Sequence, residues 1–565
     1  MGLLSKISSD KFLLILFLVV VLLGIFIRLD NTSEVGYWVD DQAALPAGLM
    51  WFYPHSYFPG LNYGNPPLGD LIIGAGCMLS GEDFSAVSQV RPFFYPDRFD
   101  LLGEPLAKAN FQCHLPMYIF GLIFFIGAII FAFTFFGRYS ALFLTSFISF
   151  HPTVLKFSRW IKVDVIFWVF IIFFLYFLMK FYQSKKENTN LTFSAIFLGL
   201  SFATKFTGAM FFFFAMVIML DKYKQEFLSL IKIICKKLNL TLFQSIEYIS
   251  PKKLIYQSSL FTIIFAFIAL IPFKLNPMNI LATRAIYQQF NGDLGKINLK
   301  ISTIFRTLQE FALGLNVIDT ILLLFSIYLL FRLLRQVDKT KIERFILYLI
   351  LLFVITTILF PVLIPVARSF PFLLGVIFLI SLAFSNRDYS LFNLFKIKNK
   401  KTFFLIFIVI YLIFSSFVAF SASPYFTTKN DLACTLMPNN SYCTPNFIGF
   451  ESRALAEYLA PLMTEEETFM GYAGILFFHI RPEQGLIDYH FDEGFRSQVG
   501  RYSTFLEKAQ YYRPSNRTIR YIVLPPDYKG EDEATRAFIE QAKPIKRLEL
   551  KGSEVAIIYD LKNLE

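Results

Sequence analysis

A chain of 565 residues that is 55% hydrophobic and carries 71 phenylalanines exceeds what a soluble core can absorb, which excludes a set of soluble domains and leaves a polytopic membrane protein. The formal charge of +11 does not point to nucleic acid, because Lys and Arg fall mainly in short connectors between apolar runs.

Apolar runs long enough to cross a bilayer, at about 1.5 Å of rise per residue, stand at residues 12–28, 116–136, 140–157, 165–182, 191–204 and 207–220. More follow at 257–272, 315–333, 344–361, 370–385 and 402–421. They predict a polytopic α-helical membrane protein of about eleven transmembrane helices. No small-residue cleavage site follows the first run, so it reads as a retained helix. A cytoplasmic N-terminus puts the basic connectors at 180–186, 222–253, 332–344 and 387–401 on the inner side. The chain then divides into a membrane domain, 1–422, with a long first outer loop over about 29–115, and an extracytoplasmic domain, 423–565.

The first outer loop holds the most chemically pointed stretch, from Tyr37 to Asp70. Asp40 and Asp41 are adjacent carboxylates beside a membrane surface. Two like charges this close raise at least one pKa, so the pair points to chemistry or ion handling, the plain alternative being a solvated loop. An Asn65-Pro-Pro-Leu turn follows, and then LGDLIIGAGCML, which is too short to span and reads as an interfacial helix. A second outer segment sets Arg159, Lys162 and Asp164 at a helix entrance, where snorkelling alone could explain the cations. Lys205 in ATKFTG lies between two apolar runs, and Arg368 lies between Pro365 and Pro371 at another outer boundary, where broken helices line cavities. Three cationic sites and three carboxylates thus share one face.

The cysteines pair by location. Cys77 and Cys113 fall in the first outer loop and Cys434 and Cys443 in a later outer segment, where disulfides are chemically allowed, while Cys235 lies on the Lys-rich side. After Ser423 the apolar runs stop. Strands in ETFMGYA, RYIVLPP, 545–550 and VAIIYDL alternate with helical patterns near 494–508 and 531–541, which reads as a small α/β domain. Within it His490, Asp492 and Glu493 could ligate a metal, but their loose spacing favours a polar loop.

The order of these features, an apolar helix, an acidic pair, a Pro-Pro-Leu turn, an Arg then Asp before a helix, a Thr-Lys and an Arg before a Pro, resembles the polytopic GT-C glycosyltransferases. Within them the chain looks most like the branch of dolichyl-phosphate-mannose protein mannosyltransferases and the lipid A aminoarabinose transferase. The resemblance covers roughly residues 12–385. It implies catalytic roles for Asp40, Asp41 and Asp164, with glutamate standing at the second position in many members. It implies substrate-binding roles for Asn65, Arg159, Lys162, Lys205 and Arg368. The first position of the Pro-Pro turn is usually histidine or lysine; asparagine here leaves Lys205 and Arg368 as the stronger matches for cations near the donor.

The implied partners are a polyprenyl-phosphate sugar donor, a glycan, lipid or protein acceptor, and membrane lipids, with no nucleic acid, in a bacterial or archaeal cell membrane. Such a transfer needs a carboxylate base for the acceptor hydroxyl and positive charge for the departing lipid phosphate. A single in-line displacement inverts the anomeric centre. The second acid could orient the acceptor or, with Asp40, hold a divalent metal; no other cofactor is implied. A secondary transporter or flippase would use the same charges as a path, but transporters place their sites near the midplane, and these charges lie at an edge. A membrane scaffold presenting the C-terminal domain would leave the outer charges without a use.

Overall fold

A computed structural model describes residues 9–30, 32, 41–53, 66–89, 102–184, 187–237, 248–276, 280, 317–335, 339–359, 400–421, a few between 377 and 381, and short C-terminal pieces between 454 and 564. In chain order the helices are α1 (Ser9–Leu29), α2 (Asp41–Leu49), α3 (Pro67–Met78), α4 (Gly103–Lys108), α5 (Asn110–Phe135), α6 (Arg138–Phe150), α7 (Pro152–Phe157) and α8 (Val163–Gln183). They continue with α9 (Glu187–Thr204), α10 (Ala209–Lys222), α11 (Lys224–Lys237), α12 (Lys252–Leu270), α13 (Val317–Arg335), α14 (Lys341–Leu359) and α15 (Lys400–Ser421). Among the described residues, Lys11–Leu29, Asn110–Phe135, Val163–Gln183 and Lys252–Phe273 are each long and apolar enough to cross a membrane alone. The run at 370–385 falls mostly outside the described residues.

Side-chain chemistry sorts these helices by depth. α8 is buried around most of its circumference, while α1 and α12 leave most of theirs uncovered, as expected of lipid-facing helices. α6 is buried from Tyr139 to Phe150. Its hydroxyls bond back to their own helix, Thr145 Oγ1 to the Ala141 carbonyl at 2.6 Å and Ser146 Oγ to that of Leu142 at 2.7 Å, so they cost little in an apolar interior. They also leave room for close crossing: a Cβ on Gly24 of α1 would lie 2.4 Å from Ser149 Oγ.

Two expectations change. The run at 140–157 is not one helix. It breaks at His151, whose ψ of 121° is extended, because the ring of Pro152 disfavours the helical region for the residue before it. The stretch 67–78 is a helix but does not lie along a surface: Gly69, Asp70, Ile73, Gly74, Gly76 and Cys77 are all buried. Glycine is the reason. A Cβ on Gly48 of α2 would sit 2.2 Å from the Asp70 carbonyl oxygen and 2.7 Å from the Gly74 nitrogen, so α2 and α3 cross backbone to backbone.

The C-terminal strands are β1 (Glu467–Tyr472), β2 (Asp488–Tyr489), β3 (Thr518–Leu524), β4 (Lys546–Leu550) and β5 (Ser553–Asp560). They form a five-stranded sheet in the order β2-β1-β3-β5-β4, with β1 parallel to β2 and β3, and β5 antiparallel to β3 and β4. Leu455 and Leu459 pack with Val523 of β3 and Ile558 of β5 in one apolar cluster. Glu467, at the start of β1, accepts hydrogen bonds from the Thr464 backbone N–H at 3.0 Å, from Arg520 at 3.0 and 3.1 Å and from Lys562 at 3.0 Å. Burial alone would raise its carboxyl, but these donors outweigh it and hold the pKa down at about 2.

Candidate active site at one end of the helical bundle

α8 and α9 form a helical hairpin, so the start of one lies beside the end of the other. Asp164 is in the first turn of α8 and Lys205 follows the last residue of α9. Each charge complements its helix terminus. Lys205 Nζ donates to Asp164 Oδ1 at 2.5 Å, with the lysine side chain 15% and the aspartate 4% exposed.

A third segment meets them. Pro66 caps α3 in an extended conformation and Pro67 opens it, a position where proline's fixed φ is already helical. Two residues on, a Cβ at Gly69 would lie 2.5 Å from Val163 Cγ1 and 3.1 Å from Thr204 Cγ2, the residues immediately before Asp164 and Lys205. The first turn of α3, directly after the Pro-Pro pair, is thereby seated on the ion pair's two helix ends. Asp70, fully buried, follows Gly69.

Two staples hold this wall. A disulfide joins Cys77, at the far end of α3, to Cys113 in α5, with Cα atoms 4.1 Å apart. Beside it a Cβ on Gly76 would meet Pro116 Cγ at 2.4 Å. The Tyr53 hydroxyl, just after α2, accepts from the Phe84 N–H at 3.1 Å.

The exit of α1, which leads towards the acidic pair, is held by arginines and a tyrosine. Arg159 Nη2 donates to the carbonyls of Ile27 at 2.5 Å and Asp30 at 2.8 Å. The Tyr118 hydroxyl donates to the Thr32 carbonyl at 2.8 Å, and Arg28 donates to those of Gly24 at 2.8 Å and Ile148 at 2.7 Å. Burial draws the Arg159 guanidinium down to about 10, against the opposing pull of Tyr118 and Asp30, so it stays cationic at neutral pH. Lys162 Nζ rests over the Trp160 ring, 4.1 Å from its centre.

The structure thus brings Asp164 and Lys205 into contact and turns Arg159 onto backbone carbonyls. Asp40, Asn65, Arg368, Cys434, Cys443, His490, Asp492 and Glu493 lie outside the described residues, as does the side chain of Asp41. Among the described residues no three acidic, histidine or cysteine side chains gather as a metal site. Sequence reasoning passed over Asp70, Arg28 and Tyr118. Asp70 did carry a signal, an ionisable residue inside an apolar stretch; the other two are visible only as contacts.

The opposite end of the bundle is a dense ionic network. Glu187 pairs with Lys253 at 2.7 Å and Lys222 at 3.3 Å and accepts from the Tyr223 hydroxyl at 2.9 Å. Asp221 accepts from the Tyr182 hydroxyl and pairs with Arg344 Nε at 3.4 Å. Lys341 Nζ donates to the Tyr182 carbonyl at 3.0 Å. The basic connectors between α8 and α9, α10 and α11, and before α12 and α14 therefore converge at one end, and α8 runs its full length between that end and Asp164.

Residues 106–245 match the family model described as dolichyl-phosphate-mannose-protein mannosyltransferase. The matched stretch contains Arg159, Lys162, Asp164 and Lys205. No curated protein matches the chain. Among solved structures the chain is similar to ArnT from Cupriavidus metallidurans in the apo state, at 13% identity, TM-score 0.47 and 98% of each chain covered. ArnT bound to undecaprenyl phosphate gives 13% identity, TM-score 0.45 and the same coverage. The Archaeoglobus fulgidus oligosaccharyltransferase gives 14% identity and TM-score 0.40, covering 90% of this chain and 68% of that one.

Proposed function

We propose that the chain is an integral membrane glycosyltransferase that moves a sugar from a polyprenyl-phosphate donor to an acceptor hydroxyl at the extracytoplasmic face, with inversion. The observation that carries this reading is the meeting of Asp164, Lys205 and the Pro-Pro turn at one end of the bundle, within and beside the matched mannosyltransferase segment. A cation at a membrane edge suits a lipid phosphate, whose charge grows as the sugar leaves. Two features support the extracytoplasmic side. The Cys77–Cys113 disulfide belongs to an oxidising compartment, and the basic connectors gather at the other end, as the orienting charge rule requires of the cytoplasmic face.

In this reading Asp40 is the general base, Lys205 and Arg368 face the lipid phosphate, and Arg159, Arg28 and Tyr118 hold the chain entering the acidic loop. Asp41 orients the acceptor or, with Asp40, holds a divalent ion. The transporter alternative is disfavoured because Asp164 and Lys205 stand at helix ends and not at mid-span.

The test is to supply purified protein with a panel of labelled polyprenyl-phosphate sugars and measure transfer and donor binding on the same variants. Asp40→Asn keeps the shape of the side chain and removes its basicity, so transfer falls by about two to four orders of magnitude while donor binding survives. Lys205→Ala or Arg368→Ala weakens donor binding together with turnover. Near-normal transfer by folded Asp40→Asn sinks the base assignment, and absence of transfer from every lipid donor sinks the enzyme.

A further inference from the structure

Lys205 is already engaged. Its ammonium lies 2.5 Å from Asp164 Oδ1, and the aspartate side chain is 4% exposed. A lipid phosphate approaching this lysine therefore meets a cation whose charge is balanced by a carboxylate that cannot move away, because Asp164 sits in the first turn of a helix packed on nearly every side. Nor can the lysine be relocated cheaply. The backbone N–H of Lys205 bonds the Ser201 carbonyl at 2.9 Å, its own carbonyl accepts from Gly208 at 2.9 Å, and a Cβ on Gly208 would lie 2.7 Å from the Phe202 nitrogen, so the turn holding Lys205 is tightly packed.

From this we propose that Asp164 is the displaceable counter-ion of Lys205: carboxylate and lipid phosphate compete for one ammonium. This rests on the reading of Lys205 as a phosphate contact, and it makes Asp164 a positioning residue for that contact. The ammonium swings on its four-carbon stem from one anion to the other and stays protonated throughout. Each exchange replaces one Lys-anion pair by another, so the lysine is not left buried with its charge unbalanced. With a phosphodiester donor the exchange is charge for charge. With the phosphomonoester product, which carries about −1.5 to −2, the phosphate would hold Lys205 harder, and the waiting carboxylate offsets that advantage by reclaiming the lysine as the product leaves.

The sign of one measurement separates this from a purely structural ion pair. Binding of undecaprenyl phosphate in detergent is measured on the full chain for wild type, Asp164→Asn, Lys205→Gln and the double variant. Removing the competitor should tighten binding in Asp164→Asn by about tenfold, the worth of a partly buried ion pair. In the Lys205→Gln background the same change should do nothing. Asp164→Ala gives the same reading if the amide disturbs folding. Unchanged or weaker binding in folded Asp164→Asn or Asp164→Ala, with wild-type binding intact, overturns the competition and leaves the proposed function standing. Absence of binding by wild type overturns both.

Discussion

The two ends of the helical bundle are held together by different means. At the basic end, long side chains reach across helix termini, and each carboxylate has several partners: Glu187 meets Lys222, Lys253 and Tyr223, and Asp221 meets Tyr182 and Arg344. At the site end, contact is made through glycines and a disulfide: the Gly48 backbone on that of Gly74, Gly69 against the side chains of Val163 and Thr204, and Gly76 against the ring of Pro116. Redundant ion pairs tolerate the loss of a member, since the others remain. The Gly48–Gly74 crossing has no substitute, because any side chain there must occupy space that another backbone fills. The site end therefore combines tight packing with the Asp164–Lys205 pair.

Mutations that probe this contrast should rank accordingly. Gly48→Val is expected to be the most damaging, because its Cβ meets backbone atoms that no rotamer change can move; a loss of about 3 kcal/mol or failure to fold is expected. Thermal unfolding and the yield of purified protein report it, and a variant as stable as wild type would remove the backbone-crossing argument.

Replacing Cys77 and Cys113 together by serine opens a loop of 36 residues and should cost about 2–4 kcal/mol. Reductant should lower the melting temperature of the wild type but not of the double variant. If serine replacement reduced transfer at temperatures where the fold persists, the disulfide would also be holding the Pro-Pro turn against the ion pair.

The C-terminal sheet offers an independent comparison, since Glu467 is anchored in the same redundant manner as the basic end. Its folded pKa, about 2, lies below the ordinary 4.5. The carboxylate therefore contributes stability that is fully present above about pH 4.5 and is lost as pH falls towards 2. The contribution should be about 1 kcal/mol, because two-thirds of the Lys562 side chain is in solvent. Glu467→Gln should flatten the acid limb of the stability profile over that window, while an unchanged acid limb would argue against the anchor.

The smallest effect is expected from Lys253→Ala at the basic end. Lys253 is 54% exposed, and Glu187 retains Lys222 and Tyr223, so the loss should stay below about 1 kcal/mol with transfer unchanged.

Much of the architecture was legible in the chain because hydropathy is a one-dimensional signal. Helices α1, α5, α8, α9, α10, α12, α13, α14 and α15 begin and end near the apolar runs that announced them, and β1, β3, β4 and β5 fall where strand patterns stood. The reading failed where a single residue or a partner helix decided. Pro152 cut one apolar run in two. Residues 67–78 looked interfacial because their length is short, whereas their glycines let α2 and α5 bury them.

What the sequence determined alone was the membrane class and the residue types available for the chemistry, since these follow from composition and order along the chain. Only the tertiary structure decided which charges meet. Asp164 and Lys205, 41 residues apart, touch because α8 and α9 fold back as a hairpin. Arg159, which the sequence offered as a substrate contact, spends hydrogen bonds on the carbonyls of Ile27 and Asp30 because the end of α1 happens to pack there. A side chain's charge is a property of its residue, but its partner is set by how distant helices cross, and that is fixed by packing in three dimensions.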